Sequence, residues 1–159
     1  KKYNLSNCGT HALDTMRMES GFLHWGHDIS PEENQYQAGL NFTISYKKDF
    51  NFIGREALEK IKDKQVDRRF AMFVLKNNEP GKPLLLHDEP IYEGEKIIGR
   101  STSGNYSFNF KKNLVFGYIN NVFSNKELQN KNLFIEVEKK KYPIEIIIKP
   151  LKQTNFKNN

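Results

Sequence analysis

The 159-residue sequence has one cysteine, one tryptophan and five arginines. A lone Cys8 excludes any disulfide within the chain and fits a reducing compartment. The expected setting is cytoplasmic, or the mitochondrial matrix if the source is eukaryotic. Ser6, Asn7 and Gly9 offer Cys8 no base, so it is a poor nucleophile. No apolar run approaches the roughly 20 residues that span a bilayer, and none has the form of a signal peptide. No membrane partner is therefore expected. A Gly-x-Gly-x-x-Gly stretch is lacking, so no FAD segment is expected either.

What is present is enough apolar material for a core: 37% hydrophobic residues and 13% aromatic, including twelve Phe and seven Tyr. The net charge of +6 comes from lysines scattered through turns and tails, as in 47–49, 111–112 and 139–141. Lysine as a hydrated point charge suits such places, so nucleic acid is an unlikely partner. The arginines are rare enough to single out: Arg17, Arg55, Arg68, Arg69 and Arg100. The chain begins with Lys rather than Met, and its first structural signal comes within ten residues. It is expected to be a fragment, a processed product or one part of a larger protein.

A helix is predicted over 10–20, with Ala12, Leu13 and Met16 as an apolar stripe and Gly21 at the left-handed position after its end. Arg17 and Glu19 flank that stripe and can reach past it into a neighbouring cleft. Residues 41–46 alternate Phe42, Ile44 and Tyr46 and predict a strand. Residues 54–63 predict a second helix with a Glu56–Lys60 pair. The charged break at 63–69 predicts a domain boundary. Beyond it the period turns to two. Short strands are predicted at 70–75, 83–86, 90–92, 96–99, 113–119, 132–138 and 142–148, with hairpins at 91–99 and 135–146. Six or seven short strands in that length predict a small antiparallel barrel. The tail 153–159 is polar and predicted to fray.

Residues 24–28, His-Trp-Gly-His-Asp, admit three readings. A metal site needs further ligands in fixed positions, and His11 and His87 carry no motif. A His–Asp acid–base pair lacks a nucleophile elbow, since Ser-Thr-Ser-Gly at 101–104 is not GxSxG. A binding turn would lay Trp25 against a flat ligand, although composition alone favours Trp25 as a core residue. No catalytic residue and no metal ligand is assigned.

Ordered motifs run the length of the chain: Ala12, Asp14, Met16, Arg17, Met18, Glu19 and Gly21, then Gly26, Asp28 and Ile29, then Ala38, Gly39 and Leu40. Phe52, Ile53, Gly54, Arg55, Ala57 and Leu58 follow. The segments 89–108, 111–119 and 140–151 complete the series. Together they resemble the C-terminal portion of the aminomethyltransferase (glycine cleavage T-protein) family, and the folate domain of dimethylglycine and sarcosine dehydrogenases in particular. The resemblance implies an α+β fold: residues 1–66 as the C-terminal segment of the folate-binding domain, and 67–159 as the antiparallel β-barrel. It implies tetrahydrofolate as cofactor, accepting a one-carbon unit as 5,10-methylenetetrahydrofolate. The family's essential aspartate and most of its pterin pocket would lie on an N-terminal half, or a complementing subunit, that this chain does not include. Activity is then not expected from this chain alone. Arg17 is implied in holding the folate; a charge-assisted contact of that kind is worth about 1.5–3 kcal/mol. Trp25, Thr102 and Ser103 are implied at the cleft wall. Phe156 stands where some members carry a ligand-facing tyrosine, which leaves stacking only. The alternative is a non-catalytic basic barrel that binds a protein or RNA partner.

Overall fold

The computed structural model describes residues 3, 5–76, 79–120 and 124–152. The first element is helix α1 (Thr10–Glu19), followed by a 3-10 turn at Asn41–Thr43 and helix α2 (Arg55–Ile61). Then come β1 (Arg68–Leu75), β2 (Pro90–Glu93), β3 (Lys96–Ser107), β4 (Lys112–Asn120), α3 (Asn125–Gln129), β5 (Leu133–Val137) and β6 (Lys140–Ile147). The six strands close into an antiparallel barrel in the order β1-β4-β3-β2-β5-β6, with β6 pairing back on β1. The predicted α+β class with its small antiparallel barrel is what the chain forms.

The barrel interior is filled by Phe73, Leu75, Ile91, Val115, Ile119 and Ile135, with Leu85 and Leu128 from outside the strands. A second apolar cluster lies on the outer surface: Val74, Leu114 and Phe116 packed against Met18 of α1, with Phe70, Met72 and Leu151 at its edges. Two clusters explain why β4 shows no alternation. Leu114, Phe116 and Tyr118 are buried on one face and Val115 and Ile119 on the other. A strand covered on both sides reads as a continuous apolar run.

Both predicted hairpins form. The β2–β3 turn has Gly94 at φ +60°, and the β5–β6 turn places Glu138 and Lys139 at positive φ. Two successive left-handed residues match the twist of the flanking strands, which is why this turn type joins them. The end of α1 closes as Gly21 predicts. The Phe22 amide donates to the Arg17 carbonyl at 2.8 Å, and the Gly21 amide donates to Met18 at 3.2 Å.

Four expectations are corrected. The stripe Ala12, Leu13 and Met16 does not face the core: Leu13 and Met16 are exposed, and Thr15, Met18 and Glu19 are the buried residues of α1. Polar contacts set that rotation. Ser107 Oγ and Asn109 Nδ2 donate to the two oxygens of Glu19 at 2.6 and 2.8 Å. Glu19 is thereby sealed against β3 rather than reaching a cleft. Residues 41–46 form no strand, because Thr43 Oγ1 donates to the Leu40 carbonyl at 2.7 Å and closes a turn. Residues 83–86 form no strand either: Leu85 alone is buried, as a plug in the barrel core, while Leu84 and Leu86 are exposed. Finally, α3 was not expected from the sequence. Its signal is the Ser124–Glu127 capping box, in which each side chain satisfies the other's backbone amide.

Candidate functional site

An open cleft of about 770 Å³ lies between α1, the 80–87 loop and β3. Its apolar lining includes the displaced stripe of α1, Ala12 and Met16, together with Leu84, Leu86 and Phe108. Its polar end holds Arg17, Thr102 and Ser103, and all four histidines of the chain border it. Clefts of about 300–1,000 Å³, mostly apolar with a few convergent polar groups, are the usual form of small-molecule sites.

The polar end is organised by Asp28, which is fully buried. Its Oδ2 accepts from Arg17 Nη1 at 2.6 Å and from the His24 amide at 2.9 Å. Its Oδ1 accepts from Thr102 Oγ1 at 2.5 Å and from Ser103 Oγ at 2.8 Å. Four donors occupy the roughly four lone-pair directions of a carboxylate. The turn over 24–29 aims that group. The Asp28 amide donates to the His24 carbonyl at 2.8 Å, and the Gly26 amide to Ile29 at 2.8 Å. Gly26, at φ +89°, takes a backbone conformation that side-chain-bearing residues rarely adopt.

Thr102 and Ser103 are neighbours in β3, so a regular strand would send them to opposite faces. The register breaks between Ser101, paired with Gly117, and Ser103, paired with Phe116. Thr102 is the extra residue of a bulge, and the bulge brings both hydroxyls to one oxygen of Asp28. Gly104 next to it keeps the plug close: a Cβ there would lie 2.3 Å from Leu85 Cβ.

Arg17 reaches the cleft, but its fork is engaged inside the chain. Nε donates to Asp14 at 2.9 Å, Nη1 to Asp28 and to the Phe22 carbonyl at 3.2 Å, and Nη2 to Ser103 at 2.9 Å. Four of the five N–H groups of the guanidinium have partners, leaving one on Nη2. Trp25 stands outside the cleft with 65% of its surface exposed, so it is neither core nor wall in this chain. Phe156 lies outside the described residues. The His24 and His27 rings stack on each other at 4.8 Å. Among the described residues no group of three or more His, Cys, Asp or Glu is placed to hold a metal ion. The His-Trp-Gly-His-Asp segment is therefore a turn that positions Asp28. Sequence reasoning named Asp28 as a motif residue and as the acid of a His–Asp pair, not as the centre of a cluster. Its hydroxyl partners lie 74 and 75 positions away, at Thr102 and Ser103, a separation that no local pattern reveals.

Residues 68–152, over half the chain, match the family model of the glycine cleavage T-protein C-terminal barrel domain, and residues 1–48 match the GCVT N-terminal domain. The chain belongs to the glycine cleavage T-protein family. Among its relatives in that family, it is 43% identical over 102 residues to 4-methylaminobutanoate oxidase (formaldehyde-forming) of Paenarthrobacter nicotinovorans. That match covers 64% of this chain and 12% of the relative. It is 34% identical over 149 residues to the mitochondrial dimethylglycine dehydrogenase of Rattus norvegicus, covering 92% of this chain and 16% of the relative. The chain thus spans less than a fifth of the length of these curated relatives. The crystal structure of glycine cleavage system aminomethyltransferase T from Bartonella henselae superposes with a TM-score of 0.74 at 21% identity, covering 89% of this chain and 38% of that one. At that identity the likeness is one of fold.

Proposed function

We propose that this chain supplies one wall of a tetrahydrofolate site in a one-carbon (aminomethyl) transfer enzyme. The observation that carries this reading is the cleft itself. A helix of a glycine cleavage T-protein family member turns Ala12 and Met16 of its apolar stripe away from its own core and toward an open volume of about 770 Å³. The end of that volume is a preorganised cluster of Arg17, Asp28, Thr102 and Ser103. A reduced folate is a large, flat, amphipathic molecule of the size such a volume holds. When bound, tetrahydrofolate supplies the nitrogens that take up the one-carbon unit, which leaves as 5,10-methylenetetrahydrofolate.

Ala12, Met16 and Phe108 would give the ligand apolar contact. Thr102 and the remaining N–H of Arg17 would orient it. Asp28 at the polar end is fully bonded and has no lone pair left over for proton transfer. In this reading the acid–base work falls to polypeptide that completes the site, an N-terminal half or a complementing subunit. The boundary near residue 66 would separate that half's last segment from the barrel.

The test is calorimetric titration of the full-length protein with 5-formyltetrahydrofolate, a reduced folate that resists air oxidation. Saturable binding is expected, weakened at least tenfold by Met16→Asp, which puts a charge on the exposed apolar wall. No binding by the wild-type protein would end this reading and favour a barrel that binds a protein or RNA partner instead.

A further inference from the structure

The polar end of the cleft is an arrangement of donors and acceptors whose directions are fixed. Asp28, as a carboxylate, has only lone pairs to offer, and it is the acceptor for both hydroxyls. A hydroxyl has one proton. Thr102 has committed its proton to Asp28, so toward the cleft it can only accept. Ser103 has done the same, and it additionally accepts from Arg17 Nη2. Of the two, Thr102 retains lone pairs for a ligand, and it lines the cleft.

Charge points the same way. Arg17 contributes one positive charge, while Asp14 and Asp28 both bond to it. The cluster carries formal net charge −1. A carboxylate brought here would meet an arginine already neutralised by two acids and a hydroxyl that cannot donate.

We infer that the ligand group seated against Thr102 is an N–H donor, neutral or cationic, and not an acid. Thr102 is the specificity-determining acceptor, and Asp28 is the positioning residue that makes it one. The inference rests on the folate reading above and refines it: a nitrogen-bearing part of the folate, rather than its glutamate carboxylates, meets this wall. The N–H groups of 5-formyltetrahydrofolate that qualify are those of the 2-amino group, N3, N8, N10 and the p-aminobenzoyl-glutamate amide.

The experiment uses the full-length protein, 5-formyltetrahydrofolate and five derivatives, each fully methylated at one of those nitrogens. Methylation removes one donor site at a time. On the wild-type protein one of the five methylated ligands is expected to bind about 2- to 13-fold more weakly than the parent, the range for one neutral hydrogen bond. The one that does so identifies the N–H. In Thr102→Val that penalty is expected to vanish, and in Thr102→Ser to return. In Asp28→Asn it is expected to shrink. The amide NH2 must avoid the Arg17 and His24 donors, so it turns to the hydroxyls, takes one of the two lone pairs of Thr102 and frees its proton. A purely structural role for Asp28 would weaken all six ligands alike.

The inference is overturned if none of the five methylated ligands binds more weakly to the wild-type protein, a measurement that needs no variant to fold. It is also overturned if the penalty persists in Thr102→Val. In both cases the parent still binds and the folate site stands. Failure of the parent ligand to bind the wild-type protein removes the folate reading and this inference together.

Discussion

At the scale of single residues, Arg17 and Asp28 depend on each other. Asp28 is fully buried and the Arg17 side chain is 12% exposed. Removing the guanidinium leaves a buried carboxylate without its cation, and such a loss costs about 3–5 kcal/mol. Arg17→Ala is therefore expected to lower stability by that amount in urea denaturation, besides any effect on binding. An unchanged unfolding midpoint would contradict the pairing. Tyr118 is the opposite case. Its hydroxyl is buried with no hydrogen-bond partner among the described residues. Burial pushes its phenol above the usual value near 10, and the charge of Glu33 adds to that. The folded state thus favours the neutral phenol. Its contribution to stability is full below about pH 10 and is lost as pH rises through the folded value. Tyr118→Phe is expected to stabilise the chain by about 1 kcal/mol at pH 8. It should also flatten the loss of stability above about pH 10, read from urea midpoints. The rarity of arginine in the sequence drew attention to Arg17. Nothing local showed that its own chain holds most of its hydrogen bonds.

At the scale of elements, what could be read in advance followed from short-range rules. The two hairpins, the glycine that ends α1 and most strand centres obey turn chemistry and period two. The misreadings have tertiary causes. Residues 83–86 have strand-like composition, yet Leu85 plugs the barrel from a loop. The stripe on α1 is a true amphipathic pattern, but Glu19, Ser107 and Asn109 fix the rotation of the helix, so the stripe points to the cleft. The bulge at Thr102 is silent in the sequence, because it exists only relative to β4. The contact of Leu85 with Gly104 makes the plug testable. Gly104→Ala would place a Cβ 2.3 Å from Leu85 Cβ. It is expected to cost about 1–3 kcal/mol in denaturant unfolding, with partial recovery in the double variant with Leu85→Ala. Equal stability of Gly104→Ala and wild type would mean that the loop does not sit against β3.

At the scale of the whole molecule, the core and the cleft make separate demands. Phe73 is fully buried inside the barrel, and Phe73→Ala is expected to cost about 3–5 kcal/mol. Leu13 is 60% exposed. Leu13→Ser should change the stability of this chain by less than about 0.5 kcal/mol, and a larger loss in thermal unfolding would show that α1 packs differently. Exposed apolar side chains continue beyond the cleft to Phe42, Phe50 and Ile53 around α2, a helix with no buried residue. Closure of β6 on β1 then restricts how further polypeptide can join. A sheet without a rim gives an incoming strand no ladder to extend. On the reading proposed above, the polypeptide that completes the site would lay side chains over α1 and α2. Its calorimetric signature would be a fall in heat capacity on association, as apolar surface leaves water.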